Sequence, residues 1–304
     1  MSERIVIISD THLGRPHAAA ASARALRPLW ADADRFIVNG DTAEVHHPTH
    51  WCEAAKETMQ LFDLCETDDV HLTLLSGNHD PYISDIRHLH LARGLIFVTH
   101  GDVLHPAVAP WSPAAGRIRR AYRNGLEQLE DDDRETLEAR LQLAQHASHE
   151  EWKHLHELKR EASRSTMFNM IIRPWAVAKV LWYWQIVPRL ADEFVAQHAP
   201  EARFAIIGHT HRPGVWSRRG RTIINTGSFG FPGRPRAVVL EGRELKVVGI
   251  EWRGEAYQLG TQVLARYELP EPVDSVAAET ESLPAPLSAP KTRPGSDRPS
   301  VPEI

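Results

Sequence analysis

The stretch LLSGNHDPYISD, residues 74–85, opens as the end of a buried strand and then turns abruptly polar. Leu74 and Leu75 suit a sheet interior, whereas Gly77, Asn78, His79 and Asp80 follow with no apolar residue among them. Gly, Asn and Asp all favour turn geometry, so a plain turn is one reading. An amide, an imidazole and a carboxylate carried together to a strand end make a reaction site the other. The choice depends on whether other strands end in the same way.

Four do. RIVIIS (4–9) runs into Asp10-Thr11-His12, RFIVN (35–39) into Gly40-Asp41, LIFVT (95–99) into His100-Gly101-Asp102, and RFAIIG (203–208) into His209-Thr210-His211. Short apolar runs alternating with helix-friendly segments such as THWCEAAKETMQLFDLC (49–65) predict an α/β fold. In such sheets ligands bind beyond the carboxyl ends of the strands. Five strands therefore bring carboxylates, imidazoles and an amide to one edge. That donor set suits Mn, Fe, Zn or Ni, and the lack of cysteine among it argues against a structural zinc site. An extended backbone would place Asp10 and His12 on one face, and His209 and His211 likewise.

The chain has 304 residues, 42% hydrophobic and 25% charged, which is ordinary globular usage for one large α/β domain or two modest ones. A net charge of -5 supplies no basic field for nucleic acid. The arginines at 117–123 and 218–221 read as solvated surface. Cys52 and Cys65 are the only cysteines, which excludes a disulfide scaffold and fits a reducing compartment. IIRPWAVAKVLWYWQIVPRL (171–190) is the most membrane-like stretch, but Arg173, Pro174, Lys179, Pro188 and Arg189 interrupt it. No signal peptide precedes the first strand, so a cytoplasmic protein is expected.

Between about 106 and 200 the strand pattern gives way to charged helical sequence. Ser148 followed by Glu151 reads as a capping box that opens a second helix within it. Strands return at 221–225, 236–242 and 244–252. Residues 267–304 are rich in Pro, Ser, Ala and Glu, have little to bury, and are expected to be a disordered tail.

Taken together, SDTH, NGD, GNHD, THGD and GHTH make the sequence resemble the calcineurin-like metallophosphoesterases, from residue 4 to about 252 apart from the helical insertion. The resemblance implies a four-layer α/β/β/α sandwich, within a domain spanning 1–266, that holds two divalent ions, manganese first, with iron, zinc or nickel as alternatives. By the same resemblance Asp10, His12, Asp41 and His211 bind the first metal, and Asp41 bridges to a second held by Asn78, His100 and His209. A water between two such ions loses its proton near neutral pH and attacks phosphorus in line with the leaving oxygen. His79 would protonate the leaving group, and Asp80 would orient that imidazole. Asn225, Gly227 and Ser228, in INTGSFG (224–230), resemble the family's NPGS block and are expected to shape the site.

The insertion, at about 106–200, also resembles in placement the helical cap of UDP-2,3-diacylglucosamine pyrophosphohydrolases. Trp175, Tyr183, Trp182, Trp184, Phe168 and Ile171 would suit an acyl pocket, a peripheral membrane contact across 168–190, or the core of a cap. Arg119, Arg120 and Arg173 are available for phosphates. His79 stands where those lipid enzymes have arginine, and histidine there is the pattern of general phosphoesterases. The function expected is hydrolysis of a phosphodiester, phosphomonoester or pyrophosphate bond, with a nucleotide-linked lipid as one specific candidate. A nuclease and a non-catalytic protein-binding scaffold are the other classes, and competent residues at every ligand position count against the scaffold. His105 and the loop histidines His46, His47 and His50 lie near the site in sequence. His146, His149, His154 and His156 read as a solvated helix face.

Overall fold

The computed structural model describes residues 2–15, 22–157, 174–230 and 234–270. Phe168, Ile171, Arg173 and the sequence beyond 270 lie outside these. Among the described residues eleven strands form two sheets. The first sheet has six strands in the order β11 (Ala256–Glu268), β10 (Glu244–Arg253), β9 (Arg236–Glu241), β1 (Arg4–Ile8), β2 (Arg35–Asn39), β3 (His71–Leu75). The second has five, in the order β4 (His88–Leu91), β5 (Ile96–Thr99), β6 (Phe204–Ile207), β8 (Arg221–Asn225), β7 (Gly214–Arg218). The described helices are α1 (Ala23–Leu26), α2 (Trp51–Thr67), α3 (Ala115–Glu127), α4 (Leu137–Glu157) and α5 (Pro174–His198).

Alternation along the strands divides their side chains between three cores, and these define the layers. Ile5, Ile7 and Ile37 of the first sheet meet Val98, Phe204, Ile206 and Ile224 of the second in the central core. Val6, Ile8, Phe36 and Val38 face the other way, onto Leu26, Leu29, Trp30, Leu61 and Cys65. On the far side, Phe97, Ala205, Ile207 and Ile223 pack against Ile118, Leu141, Tyr183, Val187 and Phe194 from α3, α4 and α5. The result is the four-layer α/β/β/α sandwich. The helices of the insertion thus supply the outer layer on the second sheet.

Register explains why the site forms at one edge. β1, β2 and β3 are parallel, with Ile8 opposite Val38 and Asn39 opposite Leu75, so the loops that follow them emerge at one level. β5, β6 and β8 are parallel in the second sheet, with Val98 opposite Ile206 and Ile207 opposite Asn225. Two bundles of parallel strand ends, one from each sheet, therefore face the same opening.

Three sequence expectations need correction. Ser148 lies inside α4, where its hydroxyl donates to the Ala144 carbonyl at 2.9 Å, and Glu151 accepts from the Ser112 hydroxyl at 2.6 Å instead of capping. β4, β7 and β11 are additional strands. HLHL and GVWSR are short and partly polar, and β11 is a sheet edge of mostly exposed residues, so hydrophobic patterning does not mark them. β11 runs to Glu268 and Leu269 is 3% exposed, so packed structure extends past the expected start of the tail at 267. No described helix is long and apolar enough to cross a membrane.

Candidate metal centre

The loops after β1, β2, β3, β5 and β6 carry the seven expected ligands. Five of these, Asp10, His12, Asp41, His209 and His211, have φ between 50° and 66°. A left-handed backbone costs an L-residue about 1–2 kcal/mol and persists only where the surroundings over-determine it. Asp10 and His12 therefore do not converge by alternating along an extended chain. The chain coils as it leaves β1, and backbone bonds from Asp10 N–H to the Gly40 carbonyl (3.1 Å) and His12 N–H to the Asp41 carbonyl (2.9 Å) fix it there. Gly77 is dictated by close approach, since a Cβ there would collide with the backbone nitrogen and Oδ1 of Asp41.

Three donor groups result among the described residues: two contain Asp41, and a third is made by His12, Glu44 and His79. Asp10, His12, Asp41 and His211 offer one ligand atom each within 4.8 Å of one another, and Asp41, His100 and His209 do the same. In the first group His211 Nε2 lies 3.3 Å from Asp10 Oδ1 and 3.1 Å from His12 Nε2. In the second, His100 Nε2 lies 3.3 Å from Asp41 Oδ2, and His209 Nδ1 lies 2.7 Å from Asn78 Oδ1. The outer nitrogens of the second pair are spoken for, since His100 Nδ1 donates to the Asn39 carbonyl (2.8 Å) and His209 Nε2 to that of Val108 (3.0 Å). Those bonds turn the inner nitrogens toward Asp41 and Asn78, the usual arrangement of metal-binding imidazoles, and a bound metal would displace the proton that Asp41 favours on His100.

The donor chemistry fits divalent ions. His100 Nε2 is buried without a hydrogen-bond partner among the described residues. His12 and His211 point imidazole nitrogens at each other, which requires a proton or a cation between them. Burial opposes the charge on Asp41, but His100 and His79 outweigh it and hold the carboxyl well below the usual range. Burial, and then His100, pushes His209 down to about 3, so it is neutral and free to donate a lone pair.

The structure reassigns Asp80. Its Oδ1 accepts from the amides of Gly77 (2.8 Å) and Asp41 (3.1 Å), and its Oδ2 from Thr42 (2.6 Å) and Ala43 (3.2 Å). Both oxygens are engaged in tying the β2 and β3 loops together, which leaves none for His79. Glu44 holds that imidazole instead, with Oε2 3.0 Å from His79 Nδ1 and Oε1 3.1 Å from His12 Nδ1. At 1% side-chain exposure Glu44 is as buried as Asp10, His12 and Asp41. Burial opposes the protonation of His79, yet Glu44 and Asp41 outweigh it and raise the imidazole to about 9. A carboxylate three residues after Asp41, among Thr42, Ala43 and Val45, is the sequence signal that marks Glu44.

Other residues support the walls. Trp152 of α4 donates from Nε1 to the Asn78 carbonyl (2.8 Å) and meets His79 edge-on, with ring centroids 5.3 Å apart. The Asn225 amide donates to the Gly208 carbonyl (2.6 Å), and the Ser228 hydroxyl to that of Asp10 (3.2 Å), so this block braces the ligand loops as expected. His105 turns away and packs against Tyr183 (5.8 Å). His47 and His50 stack at the rim (4.1 Å), while His46 contacts His149 of α4 (5.9 Å).

A two-sheet sandwich whose strand ends gather carboxylates and imidazoles around a shared aspartate defines a metal-dependent phosphoesterase. Residues 4–243 match the calcineurin-like phosphoesterase superfamily domain, and the chain belongs to that family. Solved structures with a similar course include the phosphoesterase YfcE of E. coli (14% identity, 88% of this chain and 100% of that one, TM-score 0.40). Another is Vps29 of Chaetomium thermophilum (10% identity, 88% and 98% covered, TM-score 0.42). A third, from Streptococcus pneumoniae, is described as a predicted phosphoesterase (15% identity, 86% and 99% covered, TM-score 0.34). No curated protein matches the sequence.

Proposed function

We propose that the chain hydrolyses phosphoesters, whether diester, monoester or pyrophosphate, with two divalent ions. Asp10, His12, Asp41 and His211 would hold one, and Asp41, Asn78, His100 and His209 the other, with Mn²⁺ the first choice of metal. The observation that carries this reading is the membership of Asp41 in two adjoining donor groups, because a carboxylate has two oxygens and can span two ions. Bound ions would activate water and offset the charge that develops at phosphorus. The chain's own part is positional. His79 offers Nε2, which has no partner among the described residues, while Glu44 secures Nδ1 and keeps the ring protonated, so His79 can donate to a leaving oxygen. Asp80 and Gly77 keep the loop that carries Asn78 and His79 against Asp41.

Trp175 and Trp182 of α5, 61% and 50% exposed, favour a second reading in which the substrate is a nucleotide-linked lipid and residues 168–190 rest on a membrane. Its aromatic neighbour Tyr183 is fully buried in the helical layer and gives that reading no support. An unbridged pair, with Cys52 exposed and Cys65 buried, is consistent with a cytoplasmic setting.

The test is a Mn²⁺-reconstituted activity panel on aryl phosphomonoesters and diesters, cyclic nucleotides, single-stranded DNA and UDP-diacylglucosamine, with Asp41→Ala as control. Metal-dependent turnover absent from the control is expected on at least one phosphoester. Failure on every substrate would favour the protein-binding scaffold.

A further inference from the structure

Helix α4 of the insertion carries two stripes of different kinds. Leu141, Ala144 and Ala147 face the helical core, as packing on the second sheet requires. Gln145, His149, Trp152 and His156, spaced four, three and four residues apart, share another face of the same helix. Each of these reaches the loop after β2 or the loop after β3. Gln145 donates from Nε2 to the Pro81 carbonyl, while its Oε1 accepts from Arg87 Nη1 (2.6 Å). The His149 ring lies against that of Tyr82 (5.0 Å), and His156 Nε2 donates to the His46 carbonyl (2.9 Å).

Trp152 holds the position nearest the chemistry. It is buried, and its Nε1–H donates to the Asn78 carbonyl (2.8 Å). That carbonyl belongs to the peptide group joining Asn78 to His79, and the N–H of the same group donates to Asp41 Oδ1 (2.8 Å). A peptide group is planar, so its two ends turn together. This one is clamped by α4 on one side and by the shared aspartate on the other. Its orientation sets where two side chains begin: the Asn78 amide, which meets His209, and the His79 imidazole, which lies between Glu44 and the indole.

Apolar packing is non-directional and would hold a helix against a loop at many rotations of a peptide plane, whereas a hydrogen bond weakens steeply with angle. A buried indole N–H is also costly without an acceptor, so the pairing is specific from both sides. We infer that Trp152 is a positioning residue for the hydrolysis. It fixes Asn78 and His79 through their shared peptide, and Gln145 is a second tether on the same loop. Helix α4 is thereby part of the catalytic apparatus as well as the outer layer of the sandwich. This rests on the phosphoester reading, in which His79 faces the leaving oxygen.

The test compares esters that differ in their need for a proton on the leaving oxygen. Phenolate is a poor leaving group and depends on His79, whereas p-nitrophenolate departs without that help. On the Mn²⁺-loaded full chain, kcat and KM are measured for matched phenyl and p-nitrophenyl esters of phosphate and of methyl phosphate. The variants are Trp152→Phe, which keeps an aromatic ring and loses the N–H, Gln145→Leu, His79→Ala, and Trp152→Phe combined with His79→Ala. In Trp152→Phe the ratio of kcat on the phenyl ester to kcat on the p-nitrophenyl ester should fall about tenfold or more, with KM within about twofold of wild type. Gln145→Leu should lower the same ratio about threefold. In the His79→Ala background Trp152→Phe should not change the ratio, because both substitutions act through one imidazole. Metal content and melting temperature are measured throughout, so a loading or folding defect is read separately, and Gln145→Leu decides the matter if Trp152→Phe does not fold. An unchanged ratio in the deciding variant, whether turnover falls equally on both esters or not at all, overturns the inference. So does a further fall of the ratio in the His79→Ala background. Absence of metal-dependent turnover of every ester by the wild type would instead overturn the phosphoester reading beneath it.

Discussion

Replacing Glu44 by glutamine keeps the shape and one acceptor for His12 but removes the buried charge beside His79. Against the opposing cost of burial, Glu44 and Asp41 bring that imidazole from 6.5 to about 9, a net difference of 2.5. At 1.36 kcal/mol per unit the lift is worth about 3.4 kcal/mol, shared between two carboxylates and screened at a side chain that is 23% exposed. Glu44's share is therefore roughly 1–2 units, or about 1.5–2.5 kcal/mol. The assay is kcat/KM against pH, from 5.5 to 10, for wild type and Glu44→Gln at matched metal content. The basic limb, where His79 ceases to be a proton donor, should move down by about 1–2 pH units, and the rate at pH 8 should fall about two- to tenfold. Bound cations lower the limb in both proteins, so the difference between them is the quantity predicted. The metal-free proteins give a second readout. A histidine raised by its partners stabilises the fold below pH 6.5 and loses that contribution as pH rises through about 9, so wild type should weaken across this window and the variant should stay flatter. Superimposable basic limbs in the two profiles would refute the role given to Glu44.

Asp41→Ala should lose bound metal and turnover together, whereas His79→Ala should keep its metal and lose turnover by about a hundredfold; metal analysis alongside kinetics checks both. Equal metal loss in the two would refute the division of roles. Burial pushes the Cys65 thiol up to about 12 while Cys52 is exposed, so a thiol reagent should titrate one group per native chain and two in denaturant. The Tyr183 hydroxyl is buried with no hydrogen-bond partner among the described residues, so Tyr183→Phe should raise urea stability by about 1 kcal/mol, and a fall would show that the hydroxyl is satisfied.

The layers and the gathering of carboxylates and imidazoles at one edge were largely legible because both are written locally. Apolar strands such as RIVIIS and RFIVN carry their own signal, and each ligand sits within four residues of a strand end. Glu44 was not legible in that way. Its importance comes from a loop that returns the carboxylate to two imidazoles on other strands, which periodicity does not encode. Asp80 failed for the converse reason: adjacency to His79 in sequence placed it nearby, but four backbone amides claimed its oxygens first. The division of the insertion into α3, α4 and α5 was blurred because charged surface residues dominate its pattern, and Ser148 reads as a cap only when its position inside a longer helix is unknown.

The left-handed backbone at Asp10, His12, Asp41, His209 and His211 gives this fold an evolutionary slope. At about 1–2 kcal/mol each, these residues are ones the fold would sooner exchange for glycine if catalysis were not required. A lineage released from selection for activity would gain stability by losing these five residues one at a time, without any change to the sandwich. Inactive descendants of this architecture should therefore be robust proteins, and a glycine at any of these five positions is the first mark to look for.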